Sequence, residues 1–337
     1  MTIAIKALNE RQHIADTLSH ALEAARPLDA EVLLADSGSV DGTIDIARRF
    51  PVRIVQLANP DERCCGAGAQ LAFQSSRGHY FYLLDGDMLL DPGFLPAAID
   101  YLERHPDVAG VGGELRERIV SNQEFLIRAR AGAKLRPAGE KVDNLDGGGL
   151  YRRSAIEQVG YFADRNLRAF EELDLGWRLR VAGWTLARIS VHSVDHFGHD
   201  MSGYRLLWRR LRSGYAGGAG QLLRAAWGKP HFRRLASSFS HGRNSLVVIL
   251  WWVLLIATCL SGHGWPFAIL LLAAPLLFLT VRRRSLSLAL YNFLSWNSIA
   301  WATIGGILRP RIPPERPLDI VVIADDAVAS DAHREGR

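Results

Sequence analysis

Between Asp200 and Glu315 the chain has no acidic residue. The same stretch carries 14 of the 40 lysines and arginines. That leaves 26 basic against 35 acidic residues elsewhere, a net of −9 there despite +5 overall. Residues 245–260 and 265–281 within it bear no charge at all. Such a chain cannot be one evenly mixed globule; it must divide into an acidic, water-facing part and a basic, apolar part. Basic character alone is also the footprint of nucleic-acid binding. Here the arginines flank long apolar runs, which points to membrane lipids as partner and away from nucleic acid.

Ser261-Gly262-His263-Gly264 separates the two apolar runs. Each falls slightly short of the ~20 residues that span a bilayer and reaches that length with its flanks. Arg243 precedes the first run and Arg282-Arg283-Arg284 follow the second. The positive-inside tendency puts both outer ends in the cytosol, as a helical hairpin. Residues 285–308 form a third charge-free stretch, diluted by Asn292, Ser295, Asn297 and Ser298. An interfacial or re-entrant helix and a third span both stay open for it. Residues 204–227 mix leucines with Arg205, Arg209, Arg210 and Arg212 and with Trp208, Tyr215 and Trp227. That pattern reads as interfacial, with Gly217, Gly218 and Gly220 interrupting it.

The expected division is an α/β domain over 1–200, basic interfacial helices over 201–243, a membrane region over 244–308 and a cytosolic tail over 309–337. Within the tail, residues 318–324 read as a strand or an unordered end. Cys64, Cys65 and Cys259 make no disulfide framework, so a reducing compartment is the default. Residues 1–6 lack the basic region and apolar core of a signal peptide. The expected location is the inner (cytoplasmic) membrane, with the first domain in the cytosol.

In that first domain, short apolar runs alternate with helical spacing. Residues 2–6, 31–35, 52–57, 80–84 and 108–111 read as strands. Residues 10–25, 41–50, 66–76 and 94–104 read as helices, with Asp41 an N-cap and Pro92 at a helix start. The alternation implies a mostly parallel sheet covered by helices.

Asp85-Gly86-Asp87 follows the run Tyr80-Phe81-Tyr82-Leu83-Leu84 directly. Residues two apart on a strand face one side, and strand C-termini in open α/β sheets line the ligand crevice. Two hard oxygen donors there suit Mg²⁺ or Mn²⁺ on a bound phosphate. Asp-Gly is equally a hairpin-turn signal, so the triplet alone leaves turn and cation site level.

Other segments break the tie. The first strand ends in Ala7-Leu8-Asn9-Glu10, and the second in Asp36-Ser37-Gly38-Ser39. Cys65-Gly66-Ala67-Gly68-Ala69-Gln70 opens a helix. Asp146-Gly147-Gly148-Gly149 and then Glu171-Glu172-Leu173-Asp174 follow, and Ala182-Gly183-Trp184 comes after. Taken in order over residues 2–200, this set resembles the family 2 glycosyltransferases, inverting enzymes of GT-A fold that use nucleotide sugars.

The resemblance implies roles for individual residues. Asp36 matches the acid that contacts the base or ribose. Ala7, Asn9 and Glu10 match the first-strand loop beside the same nucleotide, although Glu10 serves equally as a first-turn helix acid. Gln70 falls in the donor-side set, and Gly148 lies where backbone approaches the sugars. Asp87 matches a direct ligand of a divalent metal, Mg²⁺ or Mn²⁺. Asp85 is shared between metal and ribose, and Gly86 permits close approach. Glu171-Glu172 matches an acidic pair that more often reads Glu-Asp. Glu172 is the expected base, and Asp174 is second. Three histidines lie within residues 192–199; His196 fits a third metal ligand best, His192 next.

The implied activity is sugar transfer from a nucleotide-sugar donor to a lipid-linked or surface-polysaccharide acceptor at the cytosolic membrane face. Polyprenyl phosphate as direct acceptor is the near alternative. A non-catalytic membrane scaffold of the same fold is the alternative of another class. Arg205, Arg209 and Arg212 suit the diphosphate of a lipid-linked acceptor or the leaving nucleotide, and anionic headgroups equally.

Overall fold

The computed structural model describes residues 1–118, 139–145, 148–198, 201–261 and 264–325. The chain forms two compact units. The first holds Met1–Leu167, Glu171–Met201 and the segment from Arg311; the second holds Arg168–Phe170 and Ser202–Pro310.

In the first unit β1 (Thr2–Ala7), β2 (Glu31–Asp36), β3 (Arg53–Leu57) and β4 (Tyr80–Asp85) lie parallel, in the order β3-β2-β1-β4. Covered on both faces, they read as near-continuous apolar runs. The helices α1 (Ile14–Ala25), α2 (Thr43–Ala47) and α3 (Cys65–Ser75) belong to the crossovers. α1 turns Ile14, Leu18, Ala21 and Ala25 inward, a helical stripe. It shares a core with Ile3, Ile5, Leu34 and Leu84. On the other face Ala67, Leu71 and Phe73 join Ala4, Leu33 and Phe81. Phe81 meets Phe162 edge-on at 4.9 Å between ring centres, a favoured aromatic geometry.

The expected parallel order holds for these strands, and beyond β4 the sheet is mixed. After β5 (Met88–Leu90) come α4 (Phe94–Arg104), β6 (Val108–Glu117), β7 (Glu140–Val142), β8 (Gly149–Arg152), α5 (Arg153–Gln158), α6 (Glu171–Val181) and β9 (Thr185–His196). β8 lies antiparallel between β4 and β6. β9 runs parallel to β6 and antiparallel to β5 and β7. Its register against β6 shifts three times.

Two helix starts differ from the sequence reading. α1 begins at Ile14, not residue 10, because the Glu10 N–H donates to Thr43 Oγ1 across loops. α2 is capped by Gly42, at φ +93°, while the Asp41 carboxylate accepts from Thr43 N and Arg11 N. The segment after Arg311 is built into this unit. Arg311 pairs with the buried Asp164. Leu318 exchanges two 2.9 Å hydrogen bonds with the Gln74 amide. β10 (Ile320–Ala324) then adds antiparallel to β3.

The second unit is helical: α7 (Gly203–Arg212), α8 (Gly218–Ala226), α9 (Phe232–Ser238), α10 (Ser240–Leu260), α11 (Trp265–Arg283) and α12 (Leu286–Leu308). The basic segment breaks at Gly214, which takes φ +75°. The glycines after it form a packing seam rather than a plain interruption. A Cβ at Gly220 would lie 1.9 Å from Thr303 O, and one at Gly306 would lie 2.0 Å from Gly217 O. Only glycine allows backbones that close. α10 and α11 are long and apolar enough to cross a membrane, and only 17% and 11% of their apolar windows is buried.

Candidate active site

Register brings the sequence-predicted acids to one edge. Ala7 pairs with Asp36, and Lys6 with Asp85, at the C-terminal ends of parallel strands. This is the crevice edge of an open α/β sheet.

Asp36 is fully buried. Its carboxylate accepts from Gly38 N and Ser39 N, both at 2.8 Å, from Ser39 Oγ and from Gln56 Nε2. It thereby folds the turn after β2. Asn9, at φ +60°, ties that turn to the β1 loop. Its N–H donates to Ser39 Oγ at 2.8 Å, and its Oδ1 accepts from Val40 N at 2.9 Å. The two loops thus form one stitched wall containing Ala7, Asn9, Glu10 and Asp36.

Gly86 sits against that wall. A Cβ there would lie 2.7 Å from Glu10 Cγ and 3.3 Å from Ala7 Cβ. Its N–H donates to Lys6 O at 3.0 Å, and its carbonyl accepts from Thr17 Oγ1 at 2.9 Å. The triplet is therefore pinned as a strand-end turn with its two carboxylates aimed differently. Asp85 Oδ1 faces Lys6 Nζ at 3.2 Å. The same ammonium reaches Glu171 Oε1 at 3.4 Å. Burial works to lower the Lys6 pKa, but the carboxylates of Asp85, Glu171 and Glu172 hold it well above its ordinary value.

Lys6 was not a sequence candidate. A lysine near the end of a first strand carries no signal until α6 is placed beside it.

α6 starts after Phe170, which takes a left-handed φ of +68°. Glu171 is buried on Lys6. Glu172 is half-buried, and burial first, then the charge of Glu171, pushes its pKa up to about 8. Asp174 points elsewhere. It is 1% exposed and accepts from Arg178 Nε at 2.7 Å. The same guanidinium donates to Tyr161 O and Phe162 O. Asp174 Oδ2 is thus engaged in the helix packing while Oδ1 is buried without a hydrogen-bond partner among the described residues, and the contacts of Lys6 and Asp85 do not include Asp174.

Asp87 lies on the other side of the turn, with Oδ2 3.4 Å from His196 Nε2. His196 Nδ1 lies 2.7 Å from Glu117 Oε2. Strand pairing makes this possible, since His196 is opposite Met88 on β5 and opposite Glu117 on β6. Burial disfavours a charged ring, but the hydrogen bonds it donates to Asp87 and Glu117 outweigh it and raise His196 to about 10. His192 pairs with Asp195 instead, at 3.4 Å.

Once the ring gives up its Nε2 proton, as ligation requires, the donor chemistry fits a divalent cation. Two ligands at right angles on an ion with ~2.1 Å bonds lie about 3 Å apart, close to the Asp87–His196 separation. Metal-bound imidazoles are also typically backed by a carboxylate on the second nitrogen, where Glu117 stands. Among the described residues, no three His, Cys, Asp or Glu side chains form a metal-holding group. Asp85, the third expected ligand, is turned to Lys6.

Gln70 is spent on structure: its Oε1 accepts from Phe162 N at 3.0 Å and Ala163 N at 3.1 Å. Gly148, at φ +83°, packs on Tyr82, whose hydroxyl would lie 2.8 Å from an added Cβ. Asp146, Gly147, His199 and Asp200 fall outside the described residues.

Residues 2–160 match the family model described as glycosyl transferase family 2. An N-acetylglucosaminyl-diphospho-decaprenol L-rhamnosyltransferase of Mycobacterium tuberculosis is 30% identical over 219 residues, 54% of this chain and 71% of the relative. A dodecaprenyl-phosphate galacturonate synthase of Rhizobium johnstonii is 28% identical, over 47% of this chain and 49% of that one. Among solved structures, a mannosyltransferase of Pyrobaculum calidifontis, in complex with GDP-Man and Mn²⁺, superposes with TM-score 0.58 at 21% identity. It covers 91% of this chain and 86% of its own, and at that identity the likeness concerns the fold. With the α/β sheet and its acidic strand-end crevice, these matches make the chain a member of glycosyl transferase family 2, a glycosyltransferase.

Proposed function

We propose that the protein is an inverting, metal-dependent glycosyltransferase that moves a sugar from a nucleotide-sugar donor to a hydroxyl of a lipid-linked saccharide at a membrane. The observation that carries this reading is the Lys6 ammonium joining Asp85 at the strand end to Glu171, beside Glu172 on α6. Donor-side and acceptor-side acids then share one crevice.

The stitched loops of Asn9, Glu10 and Asp36 form the nucleoside wall. Asp87 and His196 would hold the divalent cation, with Glu117 behind the ring. When bound, that cation supplies positive charge against the departing diphosphate. Glu172 takes the proton from the acceptor hydroxyl as its oxygen bonds to the anomeric carbon. The bond from that carbon to the diphosphate breaks, and the nucleoside diphosphate leaves with the electron pair. A base poised near pH 8 is well matched to this transfer. One displacement inverts the anomeric centre, so one base suffices.

The lipid-linked acceptor rests on the two apolar helices and on the names of the mycobacterial and rhizobial relatives. The rhizobial name favours a second reading in which polyprenyl phosphate itself is the acceptor.

A melting-temperature screen of nucleotide sugars with Mn²⁺ identifies the donor, since a ligand of the folded state raises the melting point. Transfer of labelled sugar into extracted lipid then tests the reaction. A sugar monophosphate lipid as product selects the second reading. A screen without any shift, or label that never enters lipid, overturns the proposal.

A further inference from the structure

Besides the long stretch Ser202–Pro310, the chain visits the second unit for three residues only. Residues up to Leu167 belong to the first unit, Arg168–Phe170 to the second, and Glu171 onward to the first again. Both ends of this short visit are held. Leu167 O accepts from Gly66 N at 2.8 Å, and Glu171 Oε1 meets Lys6 Nζ at 3.4 Å. Three residues reach at most about 11 Å, so the segment has little slack.

Within the second unit each of the three is gripped. The Arg168 N–H donates to the buried Gln221 Oε1 at 3.0 Å, and its guanidinium to Ser213 O at 2.6 Å. Ala169 is buried against Gly218, where an added Cβ would lie 2.7 Å from the Ala169 Cβ. The Phe170 ring meets Phe239 edge-on at 4.9 Å between centres, and His241 at 5.2 Å. Phe239 and His241 stand at the start of α10.

Phe170 takes its left-handed φ of +68° in this grip. Such a backbone is unfavourable for a bulky side chain and persists where the surroundings over-determine it. The dihedrals of Phe170 also set the direction in which α6 starts, because the peptide units themselves are rigid. Farther along, α6 is fixed by its own core, through the buried Leu175 and Leu179. Its first turn carries the half-buried Glu172 and follows directly on Phe170.

We propose that Phe239 is a positioning residue for transfer: its ring holds Phe170 left-handed, and so aims the first turn of α6, with Glu172, at the acceptor hydroxyl. The proposal rests on the reading of Glu172 as the base.

Full-length protein in vesicles tests it, with Phe239→Ala, Phe239→Tyr, Phe170→Ala and Phe170→Gly, each assayed below its own melting point. Mn²⁺-dependent binding of UDP and GDP reads the donor site. Transfer of label from the screened nucleotide sugar into extracted lipid reads turnover. Phe239→Ala is expected to bind nucleotide as wild type does and to lower kcat about 10–100-fold, the scale of a misplacement near 1 Å. Phe239→Tyr keeps the edge-on ring and should retain most of the rate. Glycine accepts positive φ freely, so Phe170→Gly should lose less turnover than Phe170→Ala.

The pH dependence adds a readout that fold stability alone does not move. Burial first, then Glu171 and Asp85, raises Glu172, while Lys6 lowers it. A first turn swung toward water ionises more easily, so the rate of Phe239→Ala should level off at lower pH than that of wild type. Wild-type turnover in Phe239→Ala, or a reduced rate with the plateau unmoved, overturns the inference alone. Should Phe239→Ala not fold, the Phe170 pair decides, and Phe170→Gly no better than Phe170→Ala overturns it. A wild-type chain that transfers no label, or Glu172→Gln with unchanged turnover, removes the underlying reading as well.

Discussion

Lys6 Nζ stands 3.2 Å from Asp85 Oδ1, so the first strand carries its own cation into an acidic crevice. The same ammonium holds Glu171 at 3.4 Å. Lys6→Met would leave both carboxylates, one of them nearly buried, without that partner. Removing one member of a buried ion pair costs up to about 3–5 kcal/mol, and Asp85's partial exposure puts this case at the lower end. Denaturant unfolding at neutral pH is expected to show the loss, and Lys6→Arg is expected to recover much of it. Equal midpoints for wild type and Lys6→Met would remove the ammonium from the structural account.

The Glu172 carboxyl titrates near 8, raised by burial and then by Glu171. As the base it must be ionised, so turnover at saturating donor is expected to climb with pH and level off above about 8. Glu172→Gln should lower transfer about 10²–10⁴-fold and keep nucleotide binding. The stability effect has the opposite sign to that of a salt-bridged acid. A folded-state pKa above the ordinary 4.5 means the folded chain binds the proton more tightly. Its stabilisation is complete below about 4.5 and lost as pH rises through 8. Glu172→Gln should therefore melt higher than wild type at pH 9 and alike at pH 5. A flat rate profile between pH 6 and 9 would count against Glu172 as the base.

Asp174 separates structure from chemistry in the same helix. Its carboxylate is buried against Arg178, which in turn holds two backbone carbonyls. Asp174→Asn is expected to destabilise the fold by about 3 kcal/mol or more. Activity per folded molecule should stay near wild type at low temperature. Full stability with transfer abolished would instead make Asp174 the base.

Much of the crevice was legible because its signals are local. A buried strand followed at once by Asp85-Gly86-Asp87 places the acids without knowledge of distant partners. The same holds for Asp36 at the end of β2. What escaped depends on long-range pairing. Glu117 meets His196 only because β6 and β9 run together in a shifted register. Lys6 gains meaning only when α6 brings Glu171 to it. Gln70 Oε1 and Asp174 Oδ2 also meet backbone and guanidinium groups that the fold buries, contacts that their positions in the sequence do not announce. The tail was readable as a possible strand, yet nothing local to residues 318–324 reveals that β3 is its partner.

Glu117 provides a test of the cation site without altering a proposed ligand. Its Oε2 stands 2.7 Å from His196 Nδ1, behind the ring that faces Asp87. Substitution of such backing carboxylates weakens metal affinity about 10–100-fold. Glu117→Gln is expected to raise the half-saturating Mn²⁺ concentration by that factor, measured by Mn²⁺ binding with nucleoside diphosphate present. His196→Ala should lose more. Unchanged Mn²⁺ affinity in both variants would place the cation elsewhere.

The return of the chain at Arg311 makes its C-terminal segment part of the sheet half that carries Asp36. Asp164 is fully buried and pairs with Arg311. Arg165 donates to Arg316 O and Pro317 O at 2.7 and 2.9 Å. β10 covers the edge of β3, whose neighbour β2 ends in Asp36. Arg311→Met removes one partner of a buried charge and should cost about 3 kcal/mol. Truncation after Pro310 also uncovers a strand edge, a template for aggregation. The truncated chain is expected to lose nucleotide binding and to associate at concentrations where the full chain does not, as read by light scattering. Arg311→Met should keep nucleotide binding below its lowered melting point. A truncated chain that binds nucleotide like the full chain would show that β10 is dispensable for that half of the sheet.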